Sequence, residues 1–179
     1  MRKFTAILAM ILVALPLFGQ KLTKEEKKAL EKQAHDAAIE AIQAKAFVLV
    51  PTSYQTSDGN VESLNDNGIF ISSEGDKMFS YGWAVCGNSY NNVGTATEYE
   101  VNVDKKGKVK VIITVSGRHW RGTYTIKMGK DNNIADVMFN QPNQPTMRFT
   151  GPIVPLAGAD YFKRSNPMLD IRSMIWSLA

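Results

Sequence analysis

EYEVNVDKKGKVKVIITVSG, Glu98–Gly117, alternates apolar and polar residues on both sides of a short break. Tyr99, Val101 and Val103 fall on one face and Glu98, Glu100 and Asn102 on the other. After the break, Val109, Val111, Ile113 and Val115 oppose Lys110 and Thr114. A period of two is that of an extended strand with one dry face and one wet face. The break itself, DKKG (Asp104–Gly107), suits a type I turn, with Asp opening it and Gly taking the left-handed position. The two runs are therefore expected to form an antiparallel hairpin.

The pattern continues outward. Tyr124, Ile126 and Met128 oppose Thr123, Thr125 and Lys127, and GKDNN (Gly129–Asn133) offers residues that tolerate positive φ at the next turn. Further β-type runs cover 47–50, 68–72, 77–86, 96–103, 108–116, 122–128, 133–140 and 146–153. Runs at this spacing predict an antiparallel meander rather than βαβ units. About eight two-faced strands are expected to curl into a barrel or a strongly curved sandwich. Ahead of them, LTKEEKKALEKQAHDAAIEAIQAKAF lacks Gly and Pro and favours helix from Lys24, with Thr23 and Glu26 at capping-box spacing. Leu30, Ala34, Ala38 and Ile42 make its apolar stripe. The fold class is α+β, mainly β: an N-terminal amphipathic helix packed on the antiparallel sheet.

Residues 1–20 have the three regions of a secretory signal peptide: Arg2 and Lys3, an apolar run from Ala6 to Leu15, then Pro16 and Gly19. Cleavage is expected near Gly19 or Gln20, leaving a periplasmic or secreted chain without a transmembrane helix. No cysteine follows the run to accept a lipid. Loss of Arg2 and Lys3 lowers the formal charge from +4 to +2. Lysines alternate with glutamates instead of forming a basic stripe, so nucleic acid is not an expected partner. The lone Cys86 excludes an internal disulfide and a cysteine-based zinc cage. One domain is expected over 21–160. In 161–179, Asn166-Pro167 suits a helix start, and Met168, Leu169, Ile171, Met174, Ile175, Trp176 and Leu178 predict a docked helix or a segment that contacts a partner.

KLTKEEKKALEKQAHDAAIEAIQAKAFVLVP, NVGTATEYEVNVDKKGKVKVIITVSG, GTYTIKM and FTGPIVP together resemble the domain-of-unknown-function family numbered 4251 of Bacteroidetes bacteria, over roughly 24–155. The resemblance implies an exported chain with a Lys- and Glu-rich helix and an antiparallel β domain. It implies no chemistry and no site residues.

Catalytic patterns are sparse. His35 sits in the predicted helix as a surface or partly packed side chain, and Cys86 reads as a small buried hydrophobe. GNSYNNVG (Gly87–Gly94) leads into a strand, not the helix a phosphate loop requires. Asp104, Asp131, Asp136 and Glu98 are scattered, without calcium-loop spacing. No metal site and no cofactor is indicated.

Two stretches remain as binding candidates. In GRHWRG, Arg118, His119, Trp120 and Arg121 are either a ledge for a sugar ring or an anion, or a turn whose tryptophan folds back over the rim. In MFSYGWAV, Phe79, Tyr81 and Trp83 share a face if the strand runs through, and would line or fill the interior. The functional expectation is a non-catalytic binding or structural protein of the cell envelope, with an envelope protein, a glycan or a small ligand as partner. The alternatives are a lipocalin-like carrier of an apolar ligand and a glycan-acting hydrolase.

Overall fold

The structure is a computed structural model that describes residues 22–89 and 91–161. The expected signal peptide lies outside the described residues, as does all of the C-terminal segment beyond Tyr161. Helix α1 (Lys24–Gln43) starts at the predicted capping box: the Glu26 amide donates to Thr23 Oγ1 (3.2 Å) and the Thr23 amide to Glu26 Oε2 (2.8 Å). The Thr23 amide bond, which only the ionised carboxylate can accept fully, holds the Glu26 carboxyl below its usual range.

Ten strands follow: β1 (Ala46–Leu49), β2 (Ser53–Gln55), β3 (Val61–Ser63), β4 (Phe70–Glu74), β5 (Lys77–Tyr81), β6 (Asn92–Val103), β7 (Val109–Gly117), β8 (Arg121–Met128), β9 (Ile134–Asn140) and β10 (Met147–Pro155), with a single-turn helix α2 (Trp83–Cys86) after β5. Eight of the strands close a barrel in the order β1-β4-β5-β6-β7-β8-β9-β10, and the β1–β10 pairing completes it. All pairs are antiparallel, and the β1–β10 pairing makes the ring a closed barrel rather than a curved sandwich. The hairpin β2–β3 is attached outside this ring, on the first part of β10.

The β6–β7 hairpin has the predicted register, with Val101 opposite Val111 and Val103 opposite Val109. Its turn is built as expected. Gly107 has φ 83°, and Asp104 Oδ1 accepts from the amides of Lys106 (2.7 Å) and Lys108 (2.9 Å). The Gly129–Asn133 turn closes without any positive φ; there Asn132 Oδ1 accepts from the Ile134 amide (2.9 Å). A bulge between Ala96 and Glu98 leaves Thr97 unmatched.

Inside the ring, Phe47, Leu49, Ile71, Met78, Val111, Ile113, Tyr124, Ile126, Val137, Phe139 and Ile153 form one continuous buried cluster. Side chains therefore fill the barrel, as expected for eight strands. The expectation that Phe79 and Tyr81 face inward is corrected: Met78 and Ser80 do, and Phe79 and Tyr81 lie half-buried on the outer face. The strand also ends at Tyr81 instead of continuing to Cys86, because Gly82 (φ 105°) turns the chain into α2. A Cβ at Gly82 would lie 2.7 Å from Ile69 Cγ2.

Both ends of the barrel are stoppered. α1 lies across the end that carries the β6–β7 and β8–β9 turns and buries His35, Ala38, Ala41 and Ile42 there. Its first half projects beyond the barrel, so Leu30 is exposed although it continues the apolar stripe. Tyr99 Oη donates to the Ile42 carbonyl (2.6 Å). His35, only 3% exposed, is more buried than the sequence suggested. Its Nε2 lies 2.9 Å from both the Gly107 and the Gly129 carbonyl oxygens. Two acceptors require the proton to be on Nε2, so His35 ties the helix to both turns.

His35→Ala leaves two turn carbonyls and a void at the stopper. A loss of about 2 kcal/mol or more in urea unfolding is expected, and an unchanged midpoint would show that the clamp contributes nothing.

Candidate functional site

The GRHWRG turn resolves into a plug with a solvated tip. Trp120 is 1% exposed; its Nε1 donates to Tyr124 Oη (3.0 Å), which donates to the Val85 carbonyl of α2 (2.8 Å). Tyr124 stacks on Phe139 with centroids 3.9 Å apart. The ledge reading is thereby corrected: no face of Trp120 is open to a sugar ring. The flanking glycines explain the crowding, since a Cβ at Gly117 would meet the Val93 carbonyl oxygen and one at Gly122 the Asn140 oxygen and the Phe139 ring. Arg118, His119 and Arg121 remain exposed at this rim, and the His119 carbonyl accepts from Asn88 Nδ2 (3.3 Å).

α2 completes the plug. Ala84, Val85 and Cys86 are buried. Gln141 Nε2 donates to the Cys86 carbonyl (2.7 Å), and Asn92 Nδ2 donates to Cys86 Sγ (3.2 Å). Burial pushes the Cys86 thiol up, which suppresses the thiolate and fits the structural role expected for it. Trp83, expected to face the interior, is instead 49% exposed and meets Tyr54 edge-on at 4.5 Å.

Depressed carboxylates elsewhere have local causes. Lys45 bonds Asp76, Lys32 bonds Asp36, and turn amides bond Asp104. Among the described residues no group of three or more His, Cys, Asp and Glu is gathered as for a metal ion, and no helix is long and apolar enough to cross a membrane.

A groove of about 400 Å³ lies on the outside of the barrel, where the β2–β3 hairpin flanks β8, β9 and β10. Two cross-strand rows form its floor. One runs Val61, Gln55, Arg148, Met138, Thr125, and the other Ser53, Thr150, Asp136, Lys127. Asp136 Oδ1 accepts from Thr150 Oγ1 (2.9 Å), and the Arg148 guanidinium rests on Met138 Sδ (2.7 Å). Neither Arg148 nor Lys127 forms an ion pair among the described residues. On the far side of the hairpin, Tyr54 Oη donates to Glu62. A larger open cleft, about 850 Å³, separates the projecting half of α1 from the turn residues Lys106 and Lys130. Its walls are long charged side chains, several already paired along the helix as Lys27–Glu31 and Lys32–Asp36.

A family model described as a domain of unknown function (DUF4251) matches residues 29–153, more than half of the chain. The chain belongs to the DUF4251 family. A crystal structure of a DUF4251 family protein from Bacteroides eggerthii DSM 20697 is similar to it, with a TM-score of 0.67 at 22% identity, covering 78% of this chain and 99% of that one. At that identity the likeness shows the fold alone. A comparison with curated proteins gives no match.

The DUF4251 match runs from α1 to the strand that closes the barrel. The groove of this DUF4251 chain escaped the sequence reading because its residues come from five strands. The only local signal was the polar phase of Thr123, Thr125 and Lys127. For the plug, Trp120→Ala is expected to cost about 3–5 kcal/mol and to make Cys86 reactive toward a thiol reagent under native conditions. Arg118→Ala and Arg121→Ala should stay within about 0.5 kcal/mol. A Cys86 thiol that reacts freely in the parent chain would contradict the plug.

Proposed function

We propose that this is an exported, non-catalytic binding protein of the bacterial cell envelope, and that its outer groove takes a small anionic, hydroxyl-rich ligand of the acidic-sugar type. Export rests on the basic, then apolar, then small-residue leader in 1–20. The observation that carries the binding reading is the pair of cations, Arg148 and Lys127, set without ion-pair partners among the described residues into a concave floor of Thr125, Thr150, Ser53 and Gln55. Arginine's planar donor fork matches a carboxylate, while hydroxyl and amide side chains match sugar oxygens. The floor belongs to hydrogen-bonded strands, so these groups are held on a rigid support.

The filled interior speaks against a lipocalin-like carrier, because the space an apolar ligand would need is occupied by Tyr124, Phe139 and their neighbours. A hydrolase acting on glycans ordinarily needs two carboxyl groups facing across a cleft, and the groove contributes one acid, Asp136.

Titration of labelled protein with acidic and neutral monosaccharides tests the reading. Acidic sugars should shift the amides of Thr125, Lys127, Asp136, Arg148 and Thr150. Arg148→Ala and Lys127→Ala should each weaken binding by about ten- to a hundredfold, the equivalent of a lost charge-assisted hydrogen bond of about 1.5–3 kcal/mol. Shifts confined to Arg118–Arg121, or none with any sugar, would refute it.

A further inference from the structure

The barrel's outer surface is not uniform. Opposite faces of each strand can be assigned from the pairings, because residues directly across from one another share a face. Over β7, β8 and β9 the outward residues include Lys110, Lys127 and Asp136. Over β10, β1, β4, β5 and β6 the outward row is instead Val154, Val48, Ser72, Phe79, Val93, with Phe70 and Tyr81 paired beside it. Val48 is 0% exposed although it points away from the interior, whereas Val93 at the other end of the row is 41% exposed. An outward valine fully shielded from solvent requires cover from elsewhere in the chain.

The chain after β10 runs toward the same strands. The Leu156 amide donates to the Ala46 carbonyl (2.9 Å), so the chain leaves β10 beside the start of β1. It then reaches β4: Asn67 Nδ2 donates to Asp160 Oδ1 (3.4 Å), and the Tyr161 ring meets Phe70 at 4.9 Å. The described chain therefore reaches Phe70, beside the apolar row, and the next residues are 162–179, with Met168, Leu169, Ile171, Met174, Ile175, Trp176 and Leu178.

We propose that residues 162–179 form a strap that docks in cis on the outer apolar row of β1, β4, β5 and β6, with Phe79, Tyr81 and Val93 as its main contacts. Length supports the match. A row across five strands spans about 19 Å, and residues 167–179 as a helix would span about 20 Å. The occupant is the same chain rather than a second copy, because Tyr161 lies against Phe70 beside the row and only residues 162–166 separate it from the apolar stretch.

The test uses the full chain and hydrogen exchange, with the synthetic peptide 162–179 as the undocked reference. Amides of 168–178 should exchange about tenfold or more slowly than in the peptide. Phe79→Glu combined with Tyr81→Glu should return them to the peptide's rate while β7 and β8 keep their protection. Should that pair fail to fold, Met174→Asp with Trp176→Asp changes the strap alone and should raise exchange in 168–178 and in β5 together. Exchange at the peptide's rate in the parent chain would overturn the proposal, as would protection that survives these substitutions. Protection that disappears on dilution would assign the row to a second copy and overturn docking in cis.

Discussion

Closure of the barrel depends on β1, four residues that pair with β4 on one side and with the end of β10 on the other. Val48 faces Val154 across one seam and Ser72 across the other. A strand this short can join both neighbours because β10 exchanges partners along its length, bonding β2 at Arg148–Thr150 and β1 from Ile153 onward. Gly151 occupies the exchange point. A Cβ there would collide with the Val50 carbonyl oxygen and the Pro51 Cα, so the close crossing of the two backbones needs glycine. Ring closure leaves β3, outside the ring, as the remaining edge strand among the described residues.

Once the ring is shut, the division of labour between inside and outside follows. The interior is filled by aromatic and branched side chains, and each end has a hydrogen-bonded stopper, His35 with α1 at one and Trp120 with α2 at the other. In the proposed function recognition falls to the exterior, which carries a polar concavity over β8–β10 and an apolar row over β1, β4 and β5. The hairpin β2–β3 gives the concavity its wall, and it is available for that because β10 takes it up before turning to β1.

Much of this was legible in the sequence wherever the signal is local. Period-two alternation gave β7 and β8 with their faces, Asp104 and Gly107 gave the turn between them, and Thr23 with Glu26 gave the start of α1. What failed depended on distant contacts. β2 and β3 are three residues each, too short to show a period. In Lys77–Tyr81 both phases carry large residues, so only the pairing with β4 decides that Met78 goes in and Phe79 out. Trp120 looked available because it sits between two arginines, but Gly117 and Gly122 let the turn press it into the barrel end. The groove was invisible because Gln55, Thr125, Asp136 and Arg148 become neighbours only through the register of β2, β8, β9 and β10.

Amide hydrogen exchange at the seam tests the closed ring most directly. Phe47, Val48 and Leu49, with Ile153 and Val154, should exchange as slowly as Val111 and Ile113 in β7, and Gly151→Val should release both sides of the seam together. Seam amides that exchange like fraying edges in the parent chain, while β6, β7 and β8 stay protected, would contradict a closed barrel and the account built on it.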